Sequence, residues 1–117
     1  MDYGHYIFPV QVEGGYTEEE RLKIYKEAVK KWGVELQMSV MVEEMAELTK
    51  AIMKDKRKPC VVSAEKILEE AVDVLLMLEQ LFLILATPKC GFMQTPTDIQ
   101  NMVKYKLKRT ERRIKEE

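Results

Sequence analysis

The chain has 117 residues, 46% hydrophobic and 33% charged, with a formal net charge of −1. That size gives one domain with a modest core, and that composition excludes a disordered chain. The near-balanced charge argues against a polymeric nucleic-acid partner, whose binding surface is strongly basic.

No basic region followed by an apolar run opens the chain, and its most apolar run, 74–86, is too short to span a bilayer. Its two cysteines, Cys60 and Cys90, make neither a disulfide framework nor a zinc site. The expectation is a soluble, cytoplasmic protein with reduced thiols and no membrane partner.

Residues 1–16 hold aromatic, Gly and Pro residues without periodicity and read as an N-terminal arm; residues 17–117 read as one helical domain. Thr17 with Glu20 three residues on forms a capping-box pattern. Leu22, Tyr25, Val29 and Trp32 follow at helical spacing, and Gly33 marks a stop or kink. A second helix is expected over about 34–54, broken by the charged stretch 55–58 and Pro59. Ser63 as N-cap predicts a third helix over about 64–86, acidic and amphipathic at first, then apolar nearly all round. Such a helix is buried on more than one side, which in so small a chain favours a subunit interface.

Thr87 to Gly91 reads as a loop. Thr97 to Gln100 forms a second capping-box pattern, launching a last helix with Ile99, Val103, Leu107, Thr110 and Ile114 along one edge and a basic opposite side. The architecture expected is all-α: a four-helix, bundle-like domain completed by oligomerisation.

Carboxylates recur at helical spacing within this frame. Glu44 and Glu47 share one helix face, and Glu70 and Asp73 repeat the arrangement on the next helix. The row Val40, Glu44, Glu47, Ala51 lies beside the apolar row Met41, Met45, Leu48, Ile52. The other helix offers Glu70, Asp73, Met77, Leu81, Ile84. One Glu-x-x-Glu alone is usually a solvated face, but two sets embedded in inward rows need a compensating cation. Four oxygen donors from two helices suit a hard divalent ion, Mg²⁺ or Mn²⁺.

Glu43 points about 100° from Glu44 and is a candidate base for a metal-bound water. A ferritin-like di-iron site is excluded, because it needs Glu-x-x-His motifs and the single histidine, His5, lies in the arm. Asn101, Lys104 and Lys108 share a row next to the apolar edge of the last helix, placed to meet an anion. Arg109, Arg112, Arg113 and Lys115 read as solvated. Gln37 lies two turns before Glu44 on the same face. Tyr25 and Trp32 suit the core, with base stacking as the other use of such aromatics.

Trp32-Gly33, Gln37, Glu43-Glu44-x-x-Glu47-Leu48 and Glu69-Glu70-x-x-Asp73-Val74-Leu75 together resemble the MazG family of all-α nucleoside triphosphate pyrophosphohydrolases. The resemblance spans about residues 32–113, and both motifs, their order and the intervening 22 residues agree with it. It implies Mg²⁺-dependent hydrolysis of a nucleoside triphosphate to monophosphate and pyrophosphate, by a homodimer or homotetramer. Glu44, Glu47, Glu70 and Asp73 would bind metal. Lys104 would be catalytic through the phosphates, beside Asn101, Lys108, Gln37 and Trp32 as substrate contacts. Relatives often carry Asn four residues after that lysine, where this chain has Lys108. Selectivity for dUTP or dCTP is the nearest variant, with phosphoribosyl-ATP pyrophosphohydrolase a further relative. From another class, the chain would be a helical interaction module with paired acidic and basic faces.

Overall fold

A computed structural model describes residues 12, 14–86 and 96–116. Nearly all of the expected arm, with His5, and the loop 87–91, with Cys90, lie outside the described residues. Among those residues the fold is all-α: α1 (Glu18–Trp32), α2 (Val34–Arg57), α3 (Val61–Leu85) and α4 (Pro96–Glu116), without strands. No helix among them is long and apolar enough to cross a membrane.

The capping box at the start of α1 forms as expected. The Glu20 N–H donates to Thr17 Oγ1 at 3.2 Å, and the Thr17 N–H donates back to the Glu20 carboxylate at 3.4 Å. Gly33 then ends α1 and opens α2. Its N–H donates to the Val29 carbonyl at 2.8 Å, and its own carbonyl accepts from Gln37 at 3.1 Å. Its φ of 87° is strained for any residue with a Cβ, so glycine suits this joint.

Residues 58–60 alone separate α2 from α3, which makes the two an antiparallel hairpin. The expected boundaries shift here. α2 runs on to Arg57, where Lys54, Lys56 and Arg57 complement the carbonyl end of the helix. α3 starts at Val61 with Cys60 as its cap, rather than at Ala64 capped by Ser63. Ser63 sits inside the first turn: its N–H donates to Cys60 Sγ at 3.4 Å, and its hydroxyl accepts the Cys60 N–H at 3.1 Å. The same hydroxyl reaches Asp55 on α2. The tie to Asp55 gives Ser63 a partner that a chain-end cap would not have.

The seam of the hairpin follows from spacing. Gln37, Met41, Glu44, Leu48 and Ala51, alternately four and three apart, are buried or half-buried on α2. Ser63, Ile67, Glu70, Val74, Met77, Leu81 and Ile84 do the same on α3. This is a correction to the expected apolar row, since Met45 and Ile52 are 48% and 41% exposed. Glu44 takes the inward place between Met41 and Leu48.

α1 packs on another side of α3. Tyr25 and Leu83 form a small core with Leu22, Phe82 and Ile99 packed against it. Beside it, Arg21 forms a buried ion pair with Glu79, whose second oxygen lies 2.7 Å from the guanidinium, and the Tyr25 hydroxyl donates to Glu79 at 2.9 Å. Burial opposes the charge on Arg21. Hydrogen bonds to Tyr25 and Glu79, and the charge of Glu79, outweigh it and raise the Arg21 pKa. Burial, followed by the bond to Glu79, pushes Tyr25 up to about 12.

α4 meets the others through Ile99 in its first turn. Val103, Leu107, Thr110 and Ile114, expected on a buried edge, are exposed in the single chain. The Thr97 cap lies outside the described side chains. The helix itself begins at Pro96, a residue suited to a first helical position.

Two outcomes are expected in unfolding experiments. Arg21→Met strands the buried Glu79 carboxylate and should cost roughly 3–5 kcal/mol in urea titration. The Tyr25 phenol has a higher pKa folded than unfolded, so its stabilisation is complete below its ordinary value of 10.0 and fades as pH rises towards about 12. Tyr25→Phe should therefore flatten the alkaline limb of the wild-type stability curve.

Candidate metal centre

Glu44 from α2 and Glu70 and Asp73 from α3 converge. One carboxylate oxygen from each lies within 4.8 Å of the other two. Glu70 is buried, whereas Glu44 and Asp73 are half-buried. The cause is local: 70 is a seam position of α3, 73 lies one turn along, and the antiparallel hairpin brings residue 44 level with them. A carboxylate in a seam loses its hydration, and here each also gains two carboxylate neighbours.

The electrostatics record that conflict. Desolvation, then the charges of Asp73 and Glu70 and a hydrogen bond with Asp73, hold the Glu44 carboxyl above its usual range. Lys66 supplies part of the missing charge. Its ammonium lies 2.9 Å from Glu70 and 3.7 Å from Glu69. The bond to Glu70 and the charges of both glutamates raise the Lys66 pKa.

The structure thus brings together three of the four expected ligands. Glu47, one turn along α2 from Glu44, is exposed and stands outside the cluster, although its charge is felt at Glu44. Glu43 is exposed on α2. Asn101, Lys104 and Lys108 are exposed on α4, and no hydrogen bond or ion pair among the described residues joins them to the three carboxylates. Gln37 is buried at 6% exposure in the α2 seam. Trp32 is 52% exposed at the Gly33 joint, with the Lys31 ammonium 5.4 Å from its ring centre. Trp32 is therefore not core in the single chain, whereas Tyr25 is.

Sequence reasoning missed three features. Lys66, four residues before Glu70, carried a helical-spacing signal that points to it. Gln80 is buried with an unpartnered Oε1 among the described residues; a lone amide inside an apolar run was its signal. Arg109, expected to be solvated, is half-buried with an unpartnered Nε.

As a donor set the site fits a hard cation. Carboxylate oxygens alone converge, without nitrogen or sulfur among them, and their mutual repulsion is relieved by positive charge. No family model matches the chain, and neither a curated protein nor a solved structure is significantly similar to it.

The Glu44 pKa is higher folded than unfolded, so its ionisation works against folding as pH rises above the ordinary glutamate value of 4.5. Glu44→Gln should therefore melt at a higher temperature than wild type at pH 7 in EDTA. The gain should vanish at pH values below the ordinary glutamate range, where both side chains are neutral. Melting curves across pH, free of divalent ions, check this.

Proposed function

We propose that the chain is a Mg²⁺-dependent nucleoside triphosphate pyrophosphohydrolase of the MazG type, with Mn²⁺ as an alternative ion. The observation carrying this is the convergence of Glu44, Glu70 and Asp73 from two helices within 4.8 Å, in a seam where apolar residues would otherwise pack. The motif order quoted for the resemblance, Glu-Glu-x-x-Glu then Glu-x-x-Asp, supplies all three.

Glu44, Glu70 and Asp73 would hold the ion, with Glu47, exposed one turn along α2, as a further oxygen donor. A divalent ion there would neutralise the triphosphate and lower the pKa of an attacking water. Glu43, solvent-accessible beside Glu44, would accept the proton of that water. Lys104, with Lys108 and Asn101, would offset charge developing on the phosphates from the solvent side of α4. Gln37 and Trp32, on either side of the Gly33 joint, would meet the nucleoside end.

Assembly from two or four copies belongs to the same proposal. Met38, Val42, Met45 and Ile52 form an exposed stripe on α2, and Leu68, Val72 and Leu76 form another on α3. Apolar stripes of that length usually find a partner surface.

Pyrophosphate release from a panel of canonical and modified nucleoside triphosphates, with Mg²⁺, Mn²⁺ or EDTA, tests the activity. Metal-dependent release is expected. Asp73→Asn and Glu47→Gln should each abolish it while circular dichroism keeps the same helix content. Full turnover in Asp73→Asn would remove the metal assignment, and absence of release from every nucleotide would favour an interaction module.

A further inference from the structure

Glu70 is 5% exposed, yet it already carries a cation. The Lys66 ammonium sits 2.9 Å from one of its oxygens, from a side chain that is itself 53% exposed. We propose that Lys66 is a tethered counter-ion of the acidic cluster, seated on Glu70 until a divalent cation displaces it, and that it thereby sets the affinity of the site. The proposal rests on the metal-centre reading of Glu44, Glu70 and Asp73.

Helix stability alone does not account for the pair. Lysine N-terminal to glutamate at four residues' spacing is the less favourable order on an isolated helix. What makes the contact worthwhile is the state of Glu70. A buried carboxylate with two carboxylate neighbours is strongly disfavoured, and one positive charge relieves all three.

A divalent ion would do the same with twice the charge and with direct oxygen ligation, so the two cations compete for Glu70. Lys66 also has somewhere to go. Glu69, 66% exposed by its side chain, lies 3.7 Å from the ammonium, so a small swing keeps the lysine paired after it leaves Glu70. The displaced charge remains beside the site, where its repulsion of the ion weakens binding.

The test is Mn²⁺ binding to the full chain, followed by electron paramagnetic resonance at low ionic strength, without nucleotide. Wild type, Lys66→Met, Lys66→Arg and Asp73→Asn are compared. Removing one unit charge a few ångströms from a divalent ion should tighten binding roughly tenfold in Lys66→Met. Lys66→Arg should stay near wild type, and Asp73→Asn should lose the ion. Binding to Lys66→Met at wild-type strength or weaker, with Asp73→Asn still defective, overturns the role of Lys66 and leaves the metal centre standing. If neither wild type nor Lys66→Met binds Mn²⁺, or if Asp73→Asn binds it as wild type does, both the metal centre and the counter-ion fall. Lys66→Met leaves the buried Glu70 without its ammonium, so thermal melting and circular dichroism establish that each variant is folded before binding is read, and Lys66→Arg keeps the charge.

Discussion

Two carboxylates stand where a helical hairpin would place apolar side chains, and that conflict governs the rest of the molecule. Glu44 and Glu70 occupy seam positions of α2 and α3, flanked by Met41, Leu48, Ile67 and Val74. The hairpin gains from burying the apolar neighbours and loses from desolvating the charges. It holds because the seam is fixed at both ends. Ser63 ties the start of α3 to Asp55 of α2 near the turn, and the Gly33 joint sets where α2 begins.

α3 carries a second buried carboxylate, and the contrast between the two is instructive. Glu79 faces α1 and is answered within the chain by the Arg21 guanidinium and the Tyr25 hydroxyl. A fully hydrogen-bonded charge of that kind fixes one packing of α1 on α3 and asks for nothing more. Glu70 faces α2 and, among the described residues, has a half-exposed lysine as its ion-pair partner, with two carboxylates beside it. The same chemical group, nine residues along one helix, is structurally complete in one place and electrostatically incomplete in the other. Incomplete charge compensation in a seam, rather than acidity as such, makes the second place the candidate site.

The core around these groups is thin. Among the described residues no large side chain is fully buried, and the buried apolar residues are Tyr25, Met41, Ala51, Leu83, Ile84 and Ala86. Val103, Leu107 and Ile114 on α4 and the stripes on α2 and α3 remain open to solvent. Covering that unburied apolar surface would stabilise the fold.

Much of this was legible in the sequence. Local rules carry the helices: the Thr17–Glu20 box and the glycine stop at 33 act within a few residues and appear in the structure, whereas the charged stretch 55–57 continues α2, which ends only before Pro59. The pairing of Glu44 with Glu70 and Asp73 was also readable, because helical spacing and a short turn bring those positions level. What tertiary structure decided is which neighbouring row faces inward. The two rows, one residue apart, point about 100° from each other; Glu44 rather than Met45 entered the seam, and Glu47 was left outside the cluster. The Arg21–Glu79 pair joins residues 58 apart in sequence, and no local pattern links them. Likewise the α4 edge keeps the periodicity of a buried face, yet of its described residues only Ile99 is half-buried, since burial depends on what lies opposite and periodicity records only which residues share a side.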